Sequence, residues 1–250
     1  MRLLKAEPDG SFSLTQFFGN TTPAYAILSH RWEEGHEFTY DDIIKNAGKG
    51  KNGYRKVQLC SKQARRHGLD YFWVDSCCID KSNAVELQEA ITSMFRWYKE
   101  AARCYVYLSD VPDQQASNLQ WPLFFKKSVW FTRGWTLQEL LAPASVEFFS
   151  HNWLHLGDKK TLEQYICEAT RIAPQALRGA PLSEFSYDQR WSWAASRQTT
   201  REEDWVYCLF GVFSVYLPII YGEGRENALY RLKWEIERRS NINPLGEHAI

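Results

Sequence analysis

The sequence predicts an α/β fold in which a parallel sheet is flanked by helices and a helical lobe is added at the C-terminal end. Four short apolar runs of strand length occur within the first 153 of the 250 residues. Segments with apolar side chains at helical spacing separate these runs, and such alternation is typical of parallel sheets. After Trp153, helical segments follow one another without clear strands between them.

A helix joins the first two predicted strands. Tyr25 to His30 is a short apolar run entered from Pro23, which is typical of a buried strand. The residues from Tyr54 to His67 show helical spacing, and Gly68 follows at a position where helices often end. Leu69 to Asp75 is a nearly continuous apolar run, as expected for a strand covered on both faces.

The same pattern continues through two further strands. Glu86 to Ala102 carries one apolar stripe and predicts an amphipathic helix. Cys104 to Ser109 predicts the third strand, and a helix through Leu140 ends before Pro143. Val146 to Phe149 predicts the fourth strand.

These elements suggest a division of the chain. We predict an α/β lobe at residues 1–153, a helical lobe packed on it at residues 154–240, and a tail at residues 241–250. No linker between the lobes is long enough to make the second one independent. The two lobes are therefore expected to form a single domain.

Composition excludes several classes of protein. The 30 basic and 30 acidic side chains cancel, so no net field attracts nucleic acid or an anionic membrane. No apolar run approaches the roughly 20 residues that span a bilayer, and the N-terminus lacks the apolar stretch of a secretory signal. Six cysteines without a Cys-x-x-Cys pair indicate reduced thiols. We therefore expect a cytoplasmic protein that neither binds nucleic acid nor spans a membrane.

The predicted topology brings polar residues together at one edge of the sheet. Ser29 and His30 lie at the carboxyl end of the first strand, Arg31 follows it, and Asp75 ends the second strand. Because ligands of such sheets bind beyond the carboxyl ends of the strands, this edge is the predicted pocket. Glu139 lies on the helix after the third strand, from which its carboxylate can point back into the pocket.

Glu139 is the best candidate for chemistry. A carboxylate in a partly apolar site beside Trp135 is expected to have a raised pKa or an oriented charge, which acid/base and cation-stabilising reactions use. The alternative, from the residues alone, is a solvated glutamate on a helix surface.

Other groups give weaker candidates. Cys77 and Cys78 are adjacent, but the spacings of zinc ligands are missing, so no metal site is predicted. A nucleophilic cysteine with His30 as its base is the alternative to simple burial of both thiols. Arg197 belongs to a mixed-charge cluster with residues 201–204, for which we expect a capping and salt-bridge network, with ligand contact as the alternative.

Specific strings add a resemblance to these patterns. The chain contains, in this order, the strings Ala26-Ile-Leu-Ser-His-Arg-Trp32, Phe72-Trp-Val-Asp-Ser-Cys-Cys-Ile-Asp-Lys81, Trp130-Phe-Thr-Arg-Gly-Trp-Thr-Leu-Gln-Glu-Leu140, Arg197-Gln-Thr-Thr-Arg-Glu-Glu-Asp204 and Tyr221-Gly-Glu-Gly224. Because of these strings, the chain resembles the fungal heterokaryon-incompatibility (HET) family from about Tyr25 to Ile236.

HET domains in turn resemble Toll/interleukin-1 receptor (TIR) domains, which implies a TIR-like, flavodoxin-like sheet. Trp135 to Leu140 is similar to the TIR pattern Trp-Cys-Leu-x-Glu-Leu, with Thr136 in place of the cysteine. Catalytic TIR domains need that glutamate to cleave NAD⁺, so the resemblance implies Glu139 as the catalytic residue. The nucleotide contacts expected beside it are Ser29, His30, Arg31, Trp32, Asp75, Arg133 and Trp135.

The implied function is that of a cell-death effector in fungal innate immunity. It would hydrolyse NAD(P)⁺ at the nicotinamide–ribose bond when self-assembled, with NAD(P)⁺ as substrate and no tightly bound cofactor. The expected partners are further copies of the chain and an upstream nucleotide-binding oligomerisation receptor. The alternatives are a non-enzymatic signalling module that acts through protein contacts and a nucleotide sensor without turnover.

Overall fold

A computed structural model of the protein describes residues 1–113 and 120–242. The strands are β1 (Arg2–Ala6), β2 (Phe12–Gln16), β3 (Tyr25–His30), β4 (Tyr71–Trp73), β5 (Arg103–Tyr107), β6 (Val146–Phe149) and β7 (His155–Asp158). The α-helices are α1 (Tyr40–Ile44), α2 (Asn52–Arg66), α3 (Asp75–Cys78), α4 (Ala84–Glu100), α5 (Trp121–Lys127), α6 (Thr136–Leu141), α7 (Glu163–Thr170), α8 (Pro174–Leu177), α9 (Tyr187–Ser192), α10 (Asp204–Tyr207) and α11 (Gly224–Ile242).

The seven strands form one mixed sheet in the order β2-β1-β4-β3-β5-β6-β7. Its centre is parallel: β3 pairs with β4 and β5, and β5 pairs with β6. The prediction of an α/β sheet flanked by helices is confirmed, and the predicted bounds of β3 and β6 agree with the structure. Within the parallel part, β3 comes first along the chain and lies between β4 and β5.

The expectation of a purely parallel sheet was wrong at both edges. At one edge, β1 and β2 form an antiparallel hairpin, and β1 also pairs antiparallel with β4. At the other edge, β7 pairs antiparallel with β6. The outermost strands β2 and β7 have one neighbour each, and antiparallel strands at an edge are partly solvated, so they show weaker apolar patterns than central strands.

The C-terminal half is helical after β7. Its elements run from α7 to α11, as the sequence predicted for the residues beyond Trp153, except that β7 itself joins the sheet. The division into two lobes stays a prediction. The predicted tail overlaps the end of α11 at residues 241–242, and residues 243–250 lie outside the described part of the chain.

The centre of the sheet is enclosed by helices. All six residues of β3 and all four of β6 are buried, which fits their mostly apolar sequences. Helix α2 packs on β3, β4 and β5, and α4 contacts α6. The carboxyl end of β3 contacts α6 through the hydrogen bond between Ser29 and Glu139.

Candidate active site

Glu139 lies on α6, a short helix whose six residues are all buried. Its carboxylate accepts a hydrogen bond from the hydroxyl of Ser29, near the carboxyl end of β3. The Ser29 oxygen in turn accepts a hydrogen bond of 2.8 Å from Trp130 Nε1. The Tyr98 hydroxyl on α4 also faces the carboxylate. Glu139 thus points into the molecule at the predicted edge of the sheet, and the alternative of a solvated surface glutamate is wrong.

The surroundings of Glu139 favour its protonated form. Burial raises the pKa of Glu139 to about 8, because a charged carboxylate loses its hydration inside the protein. The hydrogen bond from Ser29 acts against this rise, whereas the nearby carboxylate of Asp75 adds to it. Glu139 is therefore mostly protonated at neutral pH in the free protein.

A second buried glutamate lies in the loop after β3. Glu37 Oε2 accepts a hydrogen bond of 3.0 Å from His30 Nε2, and its other oxygen accepts one of 2.8 Å from Lys56 Nζ on α2. Burial alone would raise the pKa of Glu37, but the hydrogen bonds and charges of His30 and Lys56 outweigh it and lower the pKa to about 2. Glu37 is therefore ionised, and it fixes the His30 ring.

The loop that carries Glu37 packs directly against the first turn of α2. Gly53 donates its N–H to the carbonyl of His36 at 2.9 Å. A Cβ at Gly53 would lie 2.2 Å from the backbone nitrogen of Phe38, so only glycine allows this approach. Lys56, one turn later, is thereby brought to the Glu37 carboxylate.

Asp75 begins α3 beside His30. Its Oδ2 accepts a hydrogen bond of 2.7 Å from Trp32 Nε1, and its Oδ1 lies 3.9 Å from His30 Nδ1. The Trp32 ring is 43% exposed, and Lys81 Nζ lies 3.0 Å from its centroid. Three buried polar atoms here have no hydrogen-bond partner in the protein: His30 Nδ1, Asp75 Oδ1 and Ser76 Oγ. The site thus combines an exposed ring at its rim with buried polar atoms that have no partner in the protein.

Three predicted contacts do not join this group. Arg31 is exposed, and its carbonyl accepts a hydrogen bond from Lys56. Arg133 donates to the hydroxyl of Thr200 at 3.0 Å, and Trp135 hydrogen-bonds to Asp204. Arg133 and Trp135 thus face the segment at residues 200–204 in the C-terminal half. Ser29, His30, Trp32 and Asp75 are brought together with Glu139.

Arg197 holds the start of α6, a role that the sequence analysis missed. Its guanidinium donates to Trp193 O, Arg133 O and Thr136 Oγ1 at 3.1, 2.9 and 2.8 Å. It makes no ion pair with any residue in the two described ranges, so the expected salt-bridge network is wrong for Arg197. The sequence string that contains Arg197 singled it out, but its partner Thr136 lies 61 residues away.

Gln198, next to Arg197, hydrogen-bonds to the chain segment that enters α6. Gln198 N donates to Thr132 O at 2.7 Å, and Gly134 N donates to Gln198 O at 2.9 Å. A Cβ at Gly134 would lie 2.4 Å from Cγ2 of Thr199 and 3.2 Å from Sγ of Cys208. Glycine is therefore needed for the close approach of residues 198–199 to the chain that enters α6.

The remaining candidates carry no further chemistry at this edge. All six cysteines are free, and Cys77 and Cys78 are buried, with the pKa of Cys77 raised well above its usual range by burial. Among residues 1–113 and 120–242, no group of three or more His, Cys, Asp or Glu side chains is arranged to hold a metal ion. Within those ranges, no helix is long and apolar enough to cross a membrane.

The open grooves of the surface lie elsewhere. A groove of about 530 Å³ is lined by Tyr187, Trp191, Lys233, Ile236, Glu237 and Ser240. A second groove, of about 490 Å³, shares Trp191 and extends to Trp205 and Arg225. Neither is lined by Glu139, which is 8% exposed. We assign the candidate site to the edge of the sheet at which Glu139 lies, because the residues that line the two grooves form no comparable cluster of buried polar groups.

Comparison with known proteins points to the family that the ordered strings suggested. A family model described as "Heterokaryon incompatibility protein (HET)" matches residues 25–123. The vegetative incompatibility protein HET-E-1 of Podospora anserina is 52% identical over 241 residues, which cover 94% of this chain. The chain carries a HET domain. The aligned part makes up 18% of HET-E-1, so this HET domain spans less than a fifth of that relative. No solved structure matches the HET domain.

The two matches cover different parts of the candidate site. The family match includes β3, Asp75 and the loop with Glu37, but it ends before α6. Arg197 also lies outside it. The resemblance to HET-E-1 extends over nearly the whole HET domain. The name of HET-E-1 associates that relative with vegetative incompatibility.

Proposed function

We propose that this HET domain is a cell-death effector in fungal incompatibility that hydrolyses NAD(P)⁺ at the nicotinamide–ribose bond. The observation that carries the proposal is the position of Glu139, a buried carboxyl group with a pKa of about 8 at the carboxyl end of a central parallel strand. Groups with strongly perturbed pKa values at such an edge are typical of active sites. The relative named for vegetative incompatibility supports the biological role.

The order of the parallel strands supports a TIR-like classification. The strands run β4-β3-β5-β6, which corresponds to the order 2-1-3-4 of flavodoxin-like sheets. In such sheets the ligand binds where the strand order reverses, which here lies between β3 and β5. Glu139 is in contact with Ser29 of β3, and its carbonyl accepts a hydrogen bond from Cys104 of β5.

The proposed reaction is a hydrolysis through an oxocarbenium-like transition state. The bond between ribose C1′ and the nicotinamide nitrogen breaks, and its electron pair leaves with nicotinamide, which becomes neutral. Water adds to C1′ and releases one proton, so the products are nicotinamide and ADP-ribose or its phosphorylated form. The Glu139 carboxylate stabilises the positive charge that develops on the ribose. Nicotinamide leaves from a cation, so no strong general acid is needed.

The ionisation of Glu139 fits this role once substrate is bound. The nicotinamide ring of NAD⁺ carries a positive charge, and a cation beside a carboxyl group lowers its pKa. Binding therefore favours the charged form that stabilises the transition state. Once the site opens, the buried and unpartnered His30 Nδ1, Asp75 Oδ1 and Ser76 Oγ would become available to ribose or amide groups. Trp32 offers an exposed ring for stacking.

Self-assembly belongs to the proposal because Glu139 is 8% exposed in the single chain. Contact with a second copy would open or complete the site, in a cytoplasmic assembly nucleated by an upstream nucleotide-binding receptor. The same burial also favours the second candidate function, a non-enzymatic signalling module. In that case Glu139 would be a structural residue, and cell death would follow from protein contacts alone.

The test is nicotinamide release from NAD⁺ and NADP⁺ by purified protein, first dilute and then clustered on a multivalent scaffold. We expect release by the clustered protein, and its loss in Glu139→Gln. The matched control is Glu147→Gln, since Glu147 is an equally buried glutamate on β6 that pairs with Arg103. Equal release by Glu139→Gln would remove the catalytic role, and no release by the clustered parent would favour the alternatives without turnover.

A further inference from the structure

Arg197 is a buried cation whose partners are all neutral. It is 4% exposed, and burial lowers its pKa to about 10. Two backbone carbonyls and the Thr136 hydroxyl accept its hydrogen bonds, while its Nη2 is buried without a partner. A buried charge without a counter-charge is costly, and a nearby anion would reduce that cost.

The geometry of α6 places this guanidinium close to Glu139. Thr136 accepts the hydrogen bond from Arg197 Nη1, and Thr136 precedes Glu139 by three positions on the same helix. Side chains three residues apart lie on one face of a helix, with Cβ atoms about 5–6 Å apart. The guanidinium therefore lies one helical turn from the carboxyl group.

We propose that Arg197 is a positioning residue that holds the first turn of α6 and supplies the counter-charge for the ionised Glu139 carboxylate. The proposal concerns the same Glu139 site as the proposed function, but it requires no cleavage of NAD⁺. It assigns a part in the site to the C-terminal half of the chain. When Glu139 ionises, the buried cation gains an anionic neighbour, and neither charge remains uncompensated.

The other groups that face Glu139 do not provide this counter-charge. Ser29 on β3 is a neutral donor, and Asp75 at the start of α3 has the same sign as the ionised carboxylate. Burial raises the pKa values of Tyr98 on α4 and Cys104 on β5 well above their usual ranges, so both are neutral.

Lys159 lies at the opposite end of α6. Its ammonium binds Pro143 O at 2.7 Å and Leu140 O at 3.4 Å, so it interacts with the carbonyl end of the helix. Arg197 is thus the cation at the Thr136 side of Glu139.

The test follows the ionisation of Glu139 in the folded protein without substrate. The unfolding free energies of Glu139→Gln and its parent are compared in urea from about pH 5 to about pH 10, and the pH dependence of their difference gives the midpoint of Glu139 ionisation. Each pair consists of a parent and the same protein with Glu139→Gln. The four parents are the wild type, Arg197→Met, Arg197→Lys and Arg190→Met. We expect the midpoint in the Arg197→Met pair to rise by about one pH unit or more, because an opposite charge is removed.

The remaining pairs are controls. Arg197→Lys keeps the charge, so its midpoint stays near that of the wild type. Arg190 is a matched buried arginine, 7% exposed, that donates to Val212 O at 3.2 Å and lies against the rings of Tyr187 and Phe213. Its replacement by Met removes a buried cation elsewhere, so the midpoint of Glu139 should not move.

An unchanged midpoint in Arg197→Met overturns the proposal. If that variant does not fold, Arg197→Gln replaces it, since glutamine removes the charge but keeps an amide donor for the backbone carbonyls. A raised midpoint in Arg197→Gln supports the proposal, and an unchanged one overturns it. Because no substrate is present, failure of NAD⁺ cleavage leaves this result intact.

Discussion

Glu37 and Glu139 are two buried glutamates near the carboxyl end of β3, and they have opposite acid–base behaviour. Their exposed fractions are 7% and 8%, and burial acts to raise the pKa of both. The pKa of Glu37 is lowered to about 2, whereas the pKa of Glu139 is raised to about 8. The difference comes from their neighbours: Glu37 contacts Lys56 and His30, and Glu139 contacts neutral hydroxyl groups.

This contrast separates a structural carboxylate from one that is available for chemistry. The ionised Glu37 carboxylate fixes His30 and the loop after β3. It accepts hydrogen bonds from Lys56, His30 and the N–H of Glu33. Glu139 keeps its proton at neutral pH, and in the proposed function a bound cationic ligand would favour its release. Burial thus raises the pKa of a carboxyl group, and cations within hydrogen-bond distance decide whether the pKa is nevertheless lowered.

The largest expected effect is the opposite pH dependence of stability in Glu139→Gln and Glu37→Gln. A raised folded pKa means that Glu139 contributes stability below about pH 4.5 that is lost as the pH rises to about 8. At roughly 1.4 kcal/mol per pKa unit, the gain of Glu139→Gln over wild type should grow by up to about 5 kcal/mol across that window. Urea unfolding at a series of pH values measures it.

Glu37→Gln should show the reverse trend. Its folded pKa is lowered, so its contribution is present above about pH 4.5 and is lost as the pH falls toward about 2. Parallel pH profiles for the two variants would contradict the assignment of opposite pKa shifts.

The next effect comes from removing a cation from Glu37. Lys56→Met leaves a buried carboxylate with one charged partner fewer, and loss of one member of a buried pair costs about 3–5 kcal/mol. Lys51→Met is the control, because Lys51 pairs with Asp42 nearer the surface, where such pairs contribute at most about 1 kcal/mol. Unfolding free energies at neutral pH compare the two. Equal losses would show that the Glu37 pair has no special role.

The smallest effect concerns the hydroxyl that links Glu139 to Trp130. Ser29→Ala leaves Trp130 Nε1 and the Glu139 carboxyl group without this partner, which should cost about 1–3 kcal/mol in unfolding free energy. It should also raise the ionisation midpoint of Glu139. Ser76→Ala is the control, since the buried Ser76 hydroxyl has no partner to lose. A destabilisation by Ser76→Ala as large as that by Ser29→Ala would contradict this account.

The parallel core of the fold was predictable from the sequence, and its edges were not. Strands such as β3 and β6 are buried on both faces, so their continuous apolar runs identify them. β7 contains four residues, His-Leu-Gly-Asp, whose composition carries no strand pattern. It pairs because the chain returns beside β6. The hairpin of β1 and β2 did carry a turn signal at Pro8-Asp9-Gly10, and the sequence analysis passed over it.

The candidate site was predictable to a similar extent. Ser29, His30 and Asp75 could be placed from strand ends, and Glu139 from the segment that resembles a family pattern. The cations could not: Lys56 meets Glu37 from another helix, and Arg197 meets Thr136 across 61 positions. Such contacts depend on tertiary packing, which periodicity within a segment does not report.

Gly134 has a consequence for how the sequence of this region can vary. A methyl group at position 134 collides with Cγ2 of Thr199, so the two positions are not independent. Alanine at 134 becomes sterically admissible only together with a residue at 199 that lacks this methyl, and Cys208 limits the space behind it. The effect of a substitution at position 134 therefore depends on the residues at positions 199 and 208, which lie in the other half of the chain.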